Sequence, residues 1–206
     1  MSDYLDNLQT LNIDERILEM RRKARENDVP IIRDKSFSLL LSLVRSKAPK
    51  KILEIGTAYG CSSLAMLLES RDAHLTTIEI DEESIVKAKQ NFKEFGFENR
   101  ITLHQGSASD IVPILSGKYD FIFLDGPKGH YYEYLPYLID LLNEKGILFA
   151  DNVLFMGLID GRKEVPRRHN TIYNSLRNFL QSLSKDERFL TTVLDIEDGV
   201  SISVRK

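Results

Sequence analysis

The chain has 206 residues, of which 42% are hydrophobic and 29% are charged, and its formal net charge is −3. This composition is typical of a soluble globular protein, and the length predicts one domain over residues 1–206. The net charge gives no overall attraction to nucleic acid, although it does not exclude local contacts. The apolar runs are shorter than the roughly 20 residues that cross a bilayer, so we expect no membrane contact.

The N-terminal segment, residues 1–46, is predicted to be a helical extension. Its pattern breaks at NDVPII, where Pro30 cannot continue a helix. The first residues, MSDYLDNLQT, lack the basic start and apolar stretch of a signal peptide. The single cysteine, Cys61, excludes an intrachain disulfide and is expected to be a small buried residue. Together these features predict a cytoplasmic protein.

Five short apolar segments then alternate with helical patterns. The segments are KILEI, LTTIEI, ITLHQ, YDFIFLD and GILFAD, at residues 51–55, 75–80, 101–105, 119–125 and 146–151. Strands that are apolar along their whole length and separated by helices are typical of a parallel sheet covered on both faces. Near the end, EDG separates RFLTTVLDI from VSISVRK, which predicts an antiparallel hairpin that closes the sheet. The fold class is therefore α/β.

Polar and glycine residues follow successive strands. In an open α/β sheet, ligands bind beyond the carboxyl ends of the strands. Gly56 and Gly60 allow a tight turn after the first strand, and Ser62 begins a helix whose free N–H groups favour anions. Glu79, after the second strand, can accept hydrogen bonds from both hydroxyls of a ribose. Glycine turns also serve helix packing, and Glu79 alone fits a solvated strand end. The joint occurrence predicts a nucleoside-containing cofactor.

The first turn, EIGTAYG, distinguishes between cofactors. A dinucleotide site uses G-x-G-x-x-G, and here Thr57 stands in place of the second glycine, so close approach to a pyrophosphate is harder. The stretch instead resembles the first motif of S-adenosylmethionine-dependent methyltransferases. In that resemblance an acid, Glu54, meets the ammonium group of the methionine part.

The motif order LEIGTAYG, TIEID, GSASD, FLDGPK and ADNVLFMG resembles the metal-dependent O-methyltransferases that include catechol and caffeoyl-CoA O-methyltransferases. The resemblance runs from about Pro30 to the C-terminus. It implies a Rossmann-like class I methyltransferase fold with a seven-stranded, mostly parallel sheet, a homodimer, and Mg2+ (or Mn2+) as a second cofactor.

The resemblance also implies roles for individual residues. The metal ligands would be Asp125, Asp151 and Asn152, an all-oxygen set that suits a hard cation. Lys128 would act as the base or only steady the oxyanion, next to Asp125 as the second catalytic residue. The positions that match S-adenosylmethionine contacts are Ile32, Glu54, Ser62, Glu79, Ser107, Ala108 and Asp125.

The segment after Asn152 bears on the methyl acceptor. The chain has no tryptophan, and Phe155 and Met156 stand where several relatives carry Trp-Gly. The segment that follows contains Arg162, Lys163, Arg167 and Arg168. These features resemble a bacterial branch that methylates 5-hydroxyuridine at the tRNA wobble position, so we expect a tRNA anticodon loop as the partner. The alternative is a small catechol-like phenol. A third hypothesis is an inactive binding domain or a dehydrogenase.

Overall fold

The computed structural model describes residues 12–206. The predictions for residues 1–11, which are the absence of a signal peptide and the start of the helical extension, lie outside the described residues. The rest of the extension forms α1 (Glu15–Glu26) and α2 (Asp34–Lys47). The Asp14 side chain caps α1 by accepting a hydrogen bond from the Arg16 backbone N–H, which satisfies a donor that a helix start leaves free. The break predicted at Pro30 falls between these helices.

A seven-stranded sheet forms the centre of the molecule, and its order is β3-β2-β1-β4-β5-β7-β6. The strands β1 to β5 are parallel to one another, whereas β7 pairs antiparallel with β5 and with β6. This arrangement confirms the predicted fold class and the C-terminal hairpin. The strands are β1 (Lys51–Ile55), β2 (His74–Glu79), β3 (Ile101–Gln105), β4 (Tyr119–Leu124), β5 (Leu142–Asp151), β6 (Phe189–Leu194) and β7 (Val200–Arg205).

The start of β5 differs from the prediction. We expected a strand over residues 146–151, whereas β5 begins at Leu142. The register with β4 shifts between the pairs at Tyr119 and Phe121, and Lys145 has a left-handed φ of 57°. An irregularity of this kind inserts unpaired residues into a strand. The polar and glycine residues of NEKG hid the strand start because they break the apolar pattern.

Helices cover both faces of the sheet. The helices that follow α2 are α3 (Cys61–Glu69), α4 (Glu82–Glu94), α5 (Ala108–Ile111), α6 (Tyr131–Leu141) and α7 (Asn170–Lys185). Alternate residues of β4 enter different cores: Phe121 and Phe123 join one buried cluster, and Ile122 and Leu124 join the other. Each fully buried side chain of this size contributes roughly 1.5–3 kcal/mol. Burial on both faces explains why the parallel strands are apolar along their length.

The strand order reverses between β1 and β4. The chain proceeds outward from β1 through β2 to β3, and then returns to pair β4 on the other side of β1. Such a switch point opens a crevice at the carboxyl ends of the two strands, where ligands bind in folds of this type. Among residues 12–206, no helix is long and apolar enough to cross a membrane.

Candidate active site

The turn after β1 lies directly against the end of β4. Gly56 has a φ of 100°, and a Cβ atom at this position would be 2.6 Å from the carbonyl oxygen of Asp125. The Asp125 N–H donates a hydrogen bond to the carbonyl of Ile55 at 2.9 Å. A side chain at Gly56 would therefore separate the two strand ends, and only glycine fits both the space and the left-handed backbone.

Glu54 lies behind this turn with its carboxylate fully buried. Its Oε1 accepts a hydrogen bond from Ser62 at 2.5 Å, and its Oε2 accepts from Thr77 at 2.7 Å and from Ser63. Burial raises the pKa of the Glu54 carboxyl to about 7, although the three hydroxyl donors act in the opposite direction. The Thr57 hydroxyl donates in turn to Thr77 at 2.6 Å, because Thr77 donates its own proton to Glu54.

A narrow cleft opens in front of the turn, at the ends of β1, β2 and β3. Glu79 stands at its edge, where Oε2 accepts from the Ala58 N–H at 2.8 Å and Oε1 accepts from the N–H groups of Ile80 and Asp81. Ser107 and Ala108, both predicted cofactor residues, line the same cleft. The remaining lining residues include Ile55, Gly56, Ile78, Ile80, Gly106, Ser109, Pro127, His130 and Tyr134.

Several of these lining residues were missed by sequence reasoning. The Ile80 side chain is 64% exposed at a strand end, and the His130 and Tyr134 rings stack with centroids 6.0 Å apart. The Tyr134 hydroxyl lies 3.3 Å from the Ser109 hydroxyl. The cleft thus has apolar and aromatic walls with an acid at its edge, as a nucleoside requires. The signal available in the sequence was the isoleucine between Glu79 and Asp81, an apolar residue among acids at a strand end.

Asp125 and Lys128 meet beside this cleft. The Lys128 Nζ donates to Asp125 Oδ1 at 2.8 Å, and both side chains are mostly covered, with 19% and 18% exposed. Lys128 begins a 3₁₀ turn, Lys128–His130, so the chain folds back and an amine three residues after the aspartate reaches its carboxylate. Burial first, and the charge of Asp125 as a further cause, raise the pKa of the carboxyls of both Glu54 and Asp151, so Asp125 lies near both groups.

Asp151, at the end of β5, is a buried carboxylate with an unsatisfied oxygen. The residue is 2% exposed, and its Oδ1 has no hydrogen-bond partner in the described structure. Burial first, and the charge of Asp125 second, raise the pKa of the Asp151 carboxyl to about 7. Asn152 follows with a φ of 57°, a left-handed conformation that asparagine tolerates better than most residues.

Tyr131 connects the two strand ends that carry these carboxylates. Its ring is fully buried, and its hydroxyl lies 3.1 Å from the carbonyl oxygens of Leu124 and Asp151. The Tyr131 hydroxyl can donate its proton to either carbonyl, and it thereby joins the end of β4 to the end of β5 at the site. Sequence reasoning missed this residue, because a tyrosine in an apolar helix is read as part of the core.

The predicted site residues thus fall into separate groups. Asp125, Lys128, Asp151 and Asn152 meet at the ends of β4 and β5, and Glu79, Ser107 and Ala108 line the cleft. Glu54 and Ser62 bond to each other behind the glycine turn. Ile32 is buried in the cluster on the α2 and α3 face. Cys61 is buried as expected, and burial raises the pKa of its thiol to about 11.

The four basic residues that follow Asn152 differ in their contacts. Arg162 pairs with Asp160 at 2.5 Å and with Asp195 at 3.0 Å. Within residues 12–206, Lys163, Arg167 and Arg168 form no ion pair with an acidic side chain, and all three are exposed. Arg162 therefore stabilises the segment, and the other three cations face solvent.

The chain matches the family model described as O-methyltransferase over residues 7–206. The chain belongs to this O-methyltransferase family.

The chain is also similar to individual O-methyltransferases, both in sequence and in structure. It is 31% identical over 182 residues to a caffeoyl-CoA O-methyltransferase of Medicago sativa, covering 82% of this chain and 70% of that one. The structure of a provisional caffeoyl-CoA O-methyltransferase from Staphylococcus aureus matches with a TM-score of 0.89 and 32% identity, covering 99% and 98% of the two chains. SAH-bound PaMTH1 of Podospora anserina matches with a TM-score of 0.85 and 29% identity, covering 100% and 95%.

These findings identify the protein as an S-adenosylmethionine-dependent O-methyltransferase. SAH is the product that remains after S-adenosylmethionine has lost its methyl group. The predicted nucleoside-containing cofactor is thereby confirmed, and the dehydrogenase hypothesis is wrong. The described residues include no group of three or more histidine, cysteine, aspartate or glutamate side chains that could hold a metal. The candidate set at the strand ends has two carboxylates and one amide.

Proposed function

We propose that this O-methyltransferase requires Mg2+ (or Mn2+) and methylates one of two adjacent oxygens on a small, catechol-like acceptor. The observation that carries this proposal is the unsatisfied Oδ1 of Asp151, buried next to the charge of Asp125. An unpaired buried carboxylate oxygen is costly and needs a partner. A cation is the partner that best fits a site with a second carboxylate nearby.

The residues present fit a hard divalent cation. Asp125, Asp151 and Asn152 offer only oxygen atoms, which are the ligands that magnesium and manganese prefer. Two neighbouring carboxylates repel each other, and this repulsion contributes to the raised pKa of Asp151. A bound cation would remove that penalty and stabilise both carboxylates in their charged form.

When bound, the cation lowers the pKa of an acceptor hydroxyl, and S-adenosylmethionine provides a methyl group on sulfur. The chain's own residues must align the acceptor with that methyl group and take up the proton that the acceptor hydroxyl loses. Asp125 is placed to align the acceptor and to hold Lys128, since it directly follows β4, which lies between β1 and β5 in the sheet. Correct alignment alone supplies a large share of the acceleration in such displacements.

Lys128 is the residue that handles the proton. Its Nζ is held by Asp125 at 2.8 Å and is covered from most of the solvent. In its neutral form the amine would accept the hydroxyl proton before the oxygen attacks the methyl group, and the ammonium so formed would stabilise the oxyanion. Both roles require the amine to stay near the carboxylates, which the 3₁₀ turn at Lys128–His130 achieves.

Small acceptors are supported by the relatives. The Medicago sativa relative is a caffeoyl-CoA O-methyltransferase, and it spans most of this chain. A catechol presents two adjacent oxygens, which can occupy neighbouring positions on one cation. We expect metal-free enzyme to be inactive on catechol and to regain activity with magnesium or manganese. Full activity in the presence of a chelator would contradict the proposal.

A second candidate acceptor is 5-hydroxyuridine in the anticodon loop of tRNA. The exposed cations Lys163, Arg167 and Arg168, which form no ion pair within residues 12–206, favour it, because they follow the candidate metal strand and face solvent, where phosphates could bind. The 5-hydroxyl and 4-carbonyl of this base are adjacent oxygens, as in catechol. A base in a single-stranded loop can also turn outward into a pocket.

One variant separates these two acceptors. Replacing Lys163, Arg167 and Arg168 with methionine should reduce tRNA methylation and weaken its salt dependence, since phosphate contacts release counterions. Arg162 stays unchanged, because it forms ion pairs within the protein. Catechol methylation should remain near the wild-type rate in the same variant. Unchanged tRNA methylation would show that these cations do not contribute to tRNA binding, and it would favour the small acceptor.

A further inference from the structure

Arg21 carries a charge that is almost completely buried. The residue belongs to α1 and is 1% exposed, and its guanidinium carbon lies 3.9 Å from the centre of the Phe37 ring. Arginine is not deprotonated in proteins. Burying a charge is unfavourable unless its N–H groups find acceptors. Arg21 therefore needs several acceptors around its guanidinium group.

Only one nitrogen of this group has acceptors among residues 12–206. Nη2 donates to the carbonyl oxygen of Ile32 at 2.8 Å and to Oδ1 of Asp34 at 2.7 Å. Nε and Nη1 are buried and have no hydrogen-bond partner in this part of the chain. Arg25 pairs with the same Oδ1 of Asp34. Two guanidinium groups thus share one carboxylate, so the three side chains together keep a positive charge.

The first turn of α3 lies near this positive charge and near a negative one. Burial raises the pKa of the Cys61 thiol, the charge of Arg21 acts against this rise, and the charge of Glu54 adds to it. Both groups are therefore close to Cys61, the residue at which α3 begins. The start of α3 has no capping side chain and no acidic residue in its first turn. The N–H groups of that turn add to the positive charge there.

Ile32 adds another buried donor without an acceptor. It lies in the connection between α1 and α2, is 4% exposed, and belongs to the same buried cluster as Leu64 of α3. Its carbonyl is held by Arg21, but its N–H has no acceptor in the described part of the chain. Buried donors without a partner are rare in folded proteins. The unpaired donors of Arg21 and Ile32, together with the uncapped start of α3, indicate that an anion binds here.

S-adenosylmethionine brings such an anion, because the amino-acid end of this cofactor carries a carboxylate and an ammonium group. Its nucleoside fits the cleft at the ends of β1, β2 and β3, and α3 begins just after the turn that follows β1. A group with both charges matches a site that has one charge of each sign nearby. We propose that Arg21 supplies the positive charge that attracts the carboxylate of the cofactor. This inference concerns the cofactor alone and is independent of the metal and of the acceptor.

Two ligands that differ only in the carboxylate test the inference. S-adenosylhomocysteine carries it, and S-adenosyl-3-thiopropylamine has the same nucleoside, sulfur and ammonium group without it. Arg21→Met should weaken binding of S-adenosylhomocysteine by about 10-fold, because the attraction between two charges in a partly buried site is lost. The amine should bind equally well or more tightly, since its positive charge no longer meets that of Arg21. Calorimetry measures both Kd values.

Arg25→Met is the matched control. Arg25 pairs with the same carboxylate of Asp34, but its side chain is 51% exposed. Because solvent and salt screen an exposed charge, both Kd values should stay within about 2-fold of the wild type. Arg21→Lys keeps a positive charge on α1 and should retain most of the affinity for S-adenosylhomocysteine.

Asp34→Asn tests the same charge with Arg21 left in place. The Asp34 side chain is 48% exposed, so the variant is expected to fold. Removal of the shared carboxylate makes the surroundings of Arg21 more positive, so S-adenosylhomocysteine should bind about 2- to 3-fold more tightly and the amine more weakly. A purely structural ion pair would not produce these opposite changes, because its loss would weaken both ligands alike.

The two ligands also separate a role in binding from a role in folding. Equal weakening of both ligands in Arg21→Met would show that Arg21 only supports the fold, and this result would overturn the inference, as would an unchanged Kd for S-adenosylhomocysteine. Thermal unfolding shows whether each variant is folded. If Arg21→Met does not fold, the Kd values of Asp34→Asn decide, and a shift in the same direction for both ligands, or no shift, would overturn the inference. Methylation of catechol is not needed for any of these measurements, so failure of the proposed acceptor leaves the inference unaffected.

Discussion

The Lys128 ammonium lies 2.8 Å from Oδ1 of Asp125, with both side chains largely shielded from solvent. Asp125 directly follows the chain's fourth strand, and the 3₁₀ turn that begins at Lys128 brings the amine back beside it. This contact joins the proposed base to a proposed metal ligand. Removal of either group should therefore affect chemistry more than it affects binding of the cofactor.

Lys128→Met should reduce kcat on the preferred acceptor by about 10²- to 10⁴-fold, the usual contribution of a positioned acid or base. The Kd for S-adenosylhomocysteine should stay unchanged, because Lys128 does not line the nucleoside cleft. Single-turnover kinetics and calorimetry measure the two quantities. Lys118→Met, at an exposed lysine that bonds the Asp140 carbonyl, is the control. A Lys128→Met enzyme with a nearly normal kcat would exclude the proposed role.

Magnesium should raise the melting temperature of the wild type and leave Asp151→Asn unaffected. A ligand that binds only the folded state stabilises it by an amount that rises with the logarithm of ligand concentration above its Kd. Without metal, Asp151→Asn should be at least as stable as the wild type at pH 8, since the amide removes a charge whose burial is unfavourable. Asp110→Asn, at an exposed aspartate on α5, should respond to magnesium like the wild type. Equal stabilisation of the wild type and Asp151→Asn would exclude Asp151 as a ligand.

Glu54 should make the stability of the protein fall as the pH rises. Its pKa is raised from 4.5 to about 7 in the folded state, so between these values the folded chain binds a proton that the unfolded chain has released. Stability from this group is complete below pH 4.5 and is lost as the pH approaches 7. The loss is at most about 3 kcal/mol, at 1.36 kcal/mol per pKa unit.

Glu54→Gln separates this effect from that of Asp151, whose pKa is raised in the same direction. Urea unfolding at pH 5, 6, 7 and 8 should show a shallower decline in the variant than in the wild type. The amide keeps an oxygen for the surrounding serine and threonine hydroxyls. Parallel pH profiles for the two proteins would show that Glu54 titrates at an ordinary pKa.

Glu79→Ala should weaken binding of S-adenosylhomocysteine by about 10- to 100-fold, since hydrogen bonds to a charged acceptor contribute roughly 1.5–3 kcal/mol. Calorimetry is the measurement. Glu79→Gln should bind with intermediate affinity, because one oxygen remains. Glu82→Ala, on the exposed first turn of α4, should bind like the wild type. Normal affinity in Glu79→Ala would place the ribose elsewhere.

The sequence by itself determined the order of elements and the strand ends that carry the chemistry. Continuous apolar runs such as YDFIFL can be buried only on both faces of a sheet, and a polar residue such as Asp125 directly after a run must lie at its edge. These are local properties of the chain. For the same reason the start of β5 at Leu142 was missed, because its polar and glycine residues interrupt the local pattern.

Only the tertiary structure decided which partner each side chain meets. Glu54 bonds Thr77 from a neighbouring strand, Arg162 bonds Asp195, and Tyr131 joins two strand ends. These partners lie up to 33 residues apart in the chain. Periodicity reports how much of a side chain is covered, whereas a hydrogen bond depends on distances of about 3 Å that arise only when separate elements pack. The left-handed turn at Met156 belongs to the same class, because the contact with Asp198 enforces it against the local preference of the backbone.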